Sequence, residues 1–376
     1  MRSHKFALAG VAALALVATA CSSSGGSSSS GASDKKWVTA TSVAGGGGMK
    51  ALIAAAKKEG TLNVIALPAN WANYGNIIKQ FTAQYGIKVN SIQPDDSSAQ
   101  EITWIQQKKG TSLDADVLDV GTAVAAQYKS LFAPYEVAEW TDIPANLKDP
   151  TGLYYGDYGG YMTVGYDSTK VGTINSLSQL LGPKFKNAVA LNGNPTQANA
   201  ALQGVMMASL AEGGNANNIG PGVAFFHKLK VAGNFNPVQA TPTTIKSGAT
   251  PVVINWDYLN LASLVGQGSN WKLFIPPNAT LGAFYDQAIN KGAPHPAAAR
   301  LWEEFLYSQA AKGGQNLWLA GGATPIELTA MTSNGSINKT LAAALPKASG
   351  TAVFLTTDQA TKAAADLAAN WAKAVS

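Results

Sequence analysis

Residues 57–67 read KKEGTLNVIAL, and this stretch sets the pattern for the chain. A helix predicted from Ala51 to Glu59 stops at Gly60, which stands where a C-cap glycine is expected. The run TLNVIAL (61–67) is apolar, short and partly β-branched, as in a buried strand. Working outward, Asn73 is the expected cap of a helix whose apolar positions Tyr74, Ile77, Ile78, Phe81 and Tyr85 share one face up to the breaker Gly86. A second strand is predicted over 87–92, a helix over 99–109 ended by Gly110, and a third strand over 115–120, ADVLDV. Strands alternating with helices imply an α/β protein built on mostly parallel sheets.

Beyond this the rhythm loosens. Residues 134–158 read as loops, followed by strands over 160–166, 187–191, 251–255, 271–275 and 284–290. Helices are predicted over 198–212, 221–231, 296–307 and 358–374, and no internal repeat is visible.

The N-terminus reads differently. Arg2, His4 and Lys5 form a basic region, residues 6–17 an apolar core, and Ala18-Thr19-Ala20 a small-residue cleavage site ahead of Cys21. This predicts an export signal over 1–20 and lipidation of Cys21 in the manner of a bacterial lipobox, although Ala18 stands where leucine is commoner. The Ser/Gly-rich stretch that follows, with Gly45–Gly48, predicts a flexible tether over 21–48.

About 356 residues remain after the leader, enough for two lobes. Apolar residues make up 46% of the chain and charged residues 13%, which indicates a globular protein with a lightly charged surface. The formal charge of +5 falls to about +3 without Arg2 and Lys5, and no basic stripe carries interleaved aromatics, so no nucleic-acid partner is expected. With Cys21 as the single cysteine there is no internal disulfide.

Catalytic patterns are absent. The mature chain keeps His227 and His295, neither beside a nucleophile motif, and it carries no G-x-S-x-G, phosphate loop or H-E-x-x-H. No metal site and no cofactor are expected. The carboxylate clusters Asp95-Asp96 and Asp114/Asp116/Asp119 leave a secreted carboxylate-dependent hydrolase as the alternative of another class, and an adhesion or scaffold protein as a third. What stands out is the set of residues at strand ends: Trp71 and Tyr74, Asp95 and Asp96, Gly121-Thr122, Asn194, Thr196 and Gln197, then Trp256, Asp257 and Tyr258. Ligands of open α/β sheets bind outside the carboxyl ends of strands. Aromatic faces with carboxylates suit an organic cation.

The segments KKEGTLNVIAL, FTAQYGIKV (81–89), ADVLDVGTA (115–123), VGYDSTKV (164–171) and INKGAPHPAAARLWEEFLYS (289–308), in this order, resemble the solute-binding lipoproteins of bacterial ABC importers. The resemblance implies a two-lobed type 2 periplasmic-binding-protein fold with ligand between the lobes. Lobe 1 would span 49–158 with a return segment near 280–330, and lobe 2 would span 159–279 with C-terminal helices near 331–376. It also implies a non-enzymatic, monomeric receptor outside the cytoplasm, lipid-anchored to the cell membrane and serving a membrane permease. The chain looks closest to the spermidine/putrescine-binding branch. There Trp71 and Tyr74 in NWANY, Trp256 in VINWDY, and Tyr285 and Asp286 in GAFYDQAI match ligand-contacting positions, and Thr122 falls at a small hydroxyl position. The segment LNGNPTQANAAL (191–202) departs from that branch because it lacks a carboxylate, so Asp257 is the expected substitute. The expected solute is therefore a small amine. A phosphonate such as aminoethylphosphonate, ferric ion and sugar remain the alternatives on the same fold.

Overall fold

The computed structural model describes residues 36–267, 270–348 and 350–376. The predicted signal segment, Cys21 and the Ser/Gly run lie outside the described residues. Eleven strands form one curled mixed sheet: β1 (Thr61–Ile65), β2 (Lys88–Ile92), β3 (Val117–Gly121), β4 (Phe132–Ala133), β5 (Tyr155–Asp167), β6 (Val189–Leu191), β7 (Val252–Trp256), β8 (Trp271–Phe274), β9 (Leu281–Asn290), β10 (Thr324–Pro325) and β11 (Val353–Phe354). The main path runs β2-β1-β3-β9-β5-β7-β6.

The first half follows the expected rhythm. β1 pairs in parallel with β2 and β3, each reached through a helix, Tyr74–Tyr85 and Ser98–Lys108. In the second half β6 and β7 pair in parallel, connected through the helices Asn199–Ala211 and Gly220–Val231. The centre is antiparallel. β9 runs against β3 and β5, and β5 runs against β7 and β8. β5 is thirteen residues long, starting inside the stretch expected as loop, and its pairing changes partner along its length. Tyr155–Tyr161 face β9, and Met162–Tyr166 face β7. One strand thus ties both halves together.

Two expectations are corrected here. The segment read as tether up to residue 48 is folded from Lys36 onward. Trp37 is buried against Gly46, where any Cβ would lie 2.0 Å from its ring, and Gly46 closes the short helix Val43–Gly46. Buried Arg300 holds this segment by donating to the carbonyls of Ala40 (2.8 Å) and Val38 (3.2 Å). An aromatic and an arginine thus override a glycine run. Asn73 is also not a side-chain cap. It sits at φ 71°, and its Nδ2 donates to the carbonyl of Leu317 at 2.7 Å.

The strongly amphipathic helix Pro296–Leu306 packs on Met49–Glu59, and Glu59 accepts from its exposed N-terminal N–H groups at Ala297 (3.0 Å) and Ala298 (2.7 Å). The last helix, Thr357–Val375, packs on Thr122–Tyr128 from the first half and on Gly220–Val231 from the second. No described helix is long and apolar enough to cross a membrane.

Candidate functional site

A cleft of about 880 Å³ opens where the two halves face each other. The first half supplies the loops after β1 and β2 and one residue of β3, so the cleft lies at the carboxyl ends of the parallel strands. Its residues there are Trp71, Asp95, Asp96, Ser98, Glu101 and Asp119. The second half supplies the segments after β6 and β7 and the turn near 239–246, with Asn192, Gln197, Asn199, Gln239, Thr241 and Lys246. Tyr285, on β9, stands between the two.

The floor is Asp119. It lies inside β3, a strand buried at every position, and its backbone pairs with Gln287 of β9. Tyr74 and Tyr158 both donate their hydroxyls to Oδ2, at 3.0 and 2.9 Å. Trp71 donates Nε1 to the Tyr158 hydroxyl at 2.6 Å, which continues the line from the cleft wall to the carboxylate. The other oxygen, Oδ1, is buried without a partner. Burial pushes the Asp119 carboxyl up to about 7, and the two phenol hydrogen bonds act against that rise. Glu101 lies beside it and accepts the Asp119 backbone N–H at 3.0 Å. Burial, then the charge of Asp119, hold Glu101 well above the ordinary carboxylate range. Asp95 and Asp96 sit at the rim, and burial followed by Asp95 raises Asp96.

Of the nine solute-contacting residues expected from the sequence, Trp71, Asp95, Asp96 and Tyr285 line the cleft. Tyr74 lies beneath it, holding Asp119 and accepting from Gln287 at 3.2 Å. Trp256 is fully buried, stacked on Tyr258 with ring centroids 6.3 Å apart and donating to the Tyr285 hydroxyl at 3.4 Å. The expected aromatic box is instead a packed cluster where the halves meet. Trp71 meets Tyr285 edge-on at 5.9 Å and Tyr258 at 6.2 Å, and Tyr158 stacks on Tyr285 at 5.8 Å.

Asp257 is buried and turned inward. It accepts the N–H of Tyr258 at 2.8 Å and also that of Tyr161, and burial raises it to about 7. Any Cβ at Gly160 would lie 2.1 Å from its Oδ1, so the carboxylate is packed on β5 and does not substitute for an acid at the second wall. Asp286 follows Tyr285 on a strand, so strand alternation turns it to the opposite face. It is buried, hydrogen-bonded by Thr122 and pushed up to about 7, chiefly by burial. Neither Thr122 nor Asp286 reaches the cleft lining.

Sequence reasoning did not place Asp119 at the cleft. Its signal is a carboxylate inside a run that is otherwise a buried strand, VLDVG. Asn194 and Gln197, expected at a strand end, do line the cleft, whereas Glu101, Asn192 and Asn199 carried no signal, because each reaches the cleft only through the folded arrangement.

The halves touch across the cleft. The Ala99 N–H meets the carbonyl of Gln197 at 3.4 Å. Gly121 lies against Asn199, where a Cβ would stand 2.5 Å from the Asn199 Cβ. The arrangement encloses polar groups and leaves a partnerless carboxylate oxygen at its base. It can hold a small polar solute by hydrogen bonds and charge, with ring edges on two sides.

A family model described as bacterial extracellular solute-binding protein matches residues 115–342. Among solved structures, the periplasmic binding protein AfuA from Actinobacillus pleuropneumoniae, with exogenous fructose-6-phosphate bound, is 18% identical at a TM-score of 0.62, covering 84% of this chain and 96% of that one. Iron-bound HitA from Pseudomonas aeruginosa is 18% identical at 0.60, covering 84% and 99%. A protein described as a spermidine/putrescine ABC transporter from Listeria monocytogenes is 14% identical at 0.60, covering 82% and 99%. Likeness at these identities establishes the fold, which is the type 2 periplasmic-binding-protein fold.

Proposed function

Because the chain belongs to the bacterial extracellular solute-binding protein family, we propose that it is the capture subunit of an ABC importer and that its solute is a small amine. It collects the solute outside the cytoplasm and hands it to a membrane permease. Cys21 serves as the lipid attachment point, and the pairing switch within β5 at Tyr161/Met162, three residues past the boundary at 158/159, supports a division into two lobes near that point. The work is binding and release, without turnover.

The observation that carries the amine reading is Asp119. A buried carboxylate oxygen without a partner, at the base of a solute-sized cleft, is costly unless a donor reaches it. An ammonium group supplies that donor with charge. Trp71 and Tyr285 then flank the methylenes. The proteins of like fold are described with a sugar phosphate, iron and polyamines, so fold alone leaves the solute open. Four carboxylates against one lysine in the lining favour a cation over a phosphorylated sugar.

Thermal shift against putrescine, butylamine, 4-aminobutyrate, fructose-6-phosphate and ferric citrate tests the reading. At a hundred times its Kd a ligand stabilises by about 2.7 kcal/mol, a rise of several degrees. An amine should give the largest rise. A rise with fructose-6-phosphate or ferric citrate and none with any amine overturns the reading.

A further inference from the structure

The two walls of the cleft carry different chemistry. On the first wall are Asp95, Asp96, Glu101 and Asp119, with no lysine or arginine. The second wall presents amides and hydroxyls, no carboxylate, and one cation, Lys246. Lys246 is exposed at the cleft lip, with no ion-pair partner among the described residues. The Asn199 Nδ2, on the same wall, is a buried donor without an acceptor. Acceptors thus wait on one side and donors on the other.

Resting on the amine reading, we propose that the solute is a zwitterion whose ammonium binds Asp119 and whose acid group faces Lys246 and Asn199. A diamine fits this division poorly. Its second ammonium would face a wall with no carboxylate and one like charge, where a desolvated cation stays unpaired. A simple monoamine satisfies Asp119 but leaves the Asn199 amide and Lys246 without an acceptor. An amino acid or aminophosphonate answers both walls at once. Closure then brings the two charged ends of one solute against opposite lobes, which makes the solute itself the link between them.

Calorimetric titration of the purified full chain with 4-aminobutyrate, 2-aminoethylphosphonate, putrescine and butylamine tests this. At least one zwitterion should bind tenfold or more tighter than putrescine and butylamine, and comparing the two tells a carboxylate from a phosphonate. Lys246→Gln should weaken that zwitterion about tenfold and leave butylamine unchanged. Putrescine or butylamine binding as tightly as the zwitterions overturns this inference and leaves the amine reading standing. Equal losses for zwitterion and butylamine in Lys246→Gln also overturn it. Binding by fructose-6-phosphate or ferric citrate with none by the four probes overturns the amine reading as well, and silence from all probes counts against both.

Discussion

The two walls of the cleft are built by different means. The first wall is a deep, prearranged carboxylate: Tyr74, Tyr158 and Trp71 converge on Asp119 from β5 and the loop after β1, and none of them has to move to meet a ligand. The second wall consists of short amide side chains on a turn and a helix start, several still exposed and one without a partner. The difference teaches that the carboxylate wall is fixed by its own hydrogen bonds, and that on the proposed reading charge recognition falls to that wall and adaptable hydrogen bonding to the opposite half. A preorganised buried charge gives affinity at little reorganisation cost. The amides sort solutes by shape and hydrogen-bonding pattern.

That contrast can be broken from its supports downward. Trp256→Ala should destabilise the fold by about 3–5 kcal/mol, because the ring is fully buried in the cluster that joins the walls. Denaturant unfolding measures this. An unchanged midpoint with lost binding would instead return Trp256 to the ligand.

Asp119→Asn should weaken amine binding about a hundredfold, near 3 kcal/mol, with the melting temperature within a few degrees of the parent. Titration calorimetry reads it. Undiminished binding would move recognition to the rim pair Asp95 and Asp96.

The next effect is on pH. Asp119, Asp257 and Asp286 each titrate near 7 when folded, against an ordinary value near 4. Each folded value is raised, so the native state holds more protons than the unfolded chain between those values. Stability is then fully present below about 4 and is lost as pH rises through about 7. Each such group should cost the ligand-free protein about 2–3 kcal/mol between pH 5 and pH 8. An amine at saturation should shrink that loss by keeping Asp119 ionised. A melting temperature that rises from pH 5 to pH 8 contradicts this.

The smallest effect concerns how the walls meet. Gly121→Ala places a methyl against Asn199, so closure is hindered and affinity should fall about tenfold, near 1.4 kcal/mol. Asn199→Gly in the same chain should restore part of it. Failure of the second change to rescue would place the fault elsewhere in the fold.

Much of the first half was legible, because its strands and helices are local and periodic. The helices ended by Gly60 and Gly86 stand where the glycines put them, each at a positive φ. The loops over 134–154 were legible, but the long β5, which begins at Tyr155, was not. The small and aromatic residues YGDYGGY of β5 show no clean alternation because the strand is central in the sheet and buried on both faces. At the site, strand ends were readable but side-chain direction was not. Tyr285 and Asp286 are neighbours in sequence, and alternation sends one to the cleft and the other away. Asp257 directly follows Trp256, and packing under Gly160 fixes it inward. The Gly45–Gly48 run read as tether because the contact that folds it comes from Trp37 and Arg300, far apart in the chain.

A crystal structure with the amine of highest thermal shift tests the central claim most directly. The ammonium nitrogen should lie within hydrogen-bond distance of the Asp119 Oδ1, with Trp71 and Tyr285 against the solute. A nitrogen held only by Asp95 and Asp96 at the rim, with Oδ1 still unpartnered, would contradict it.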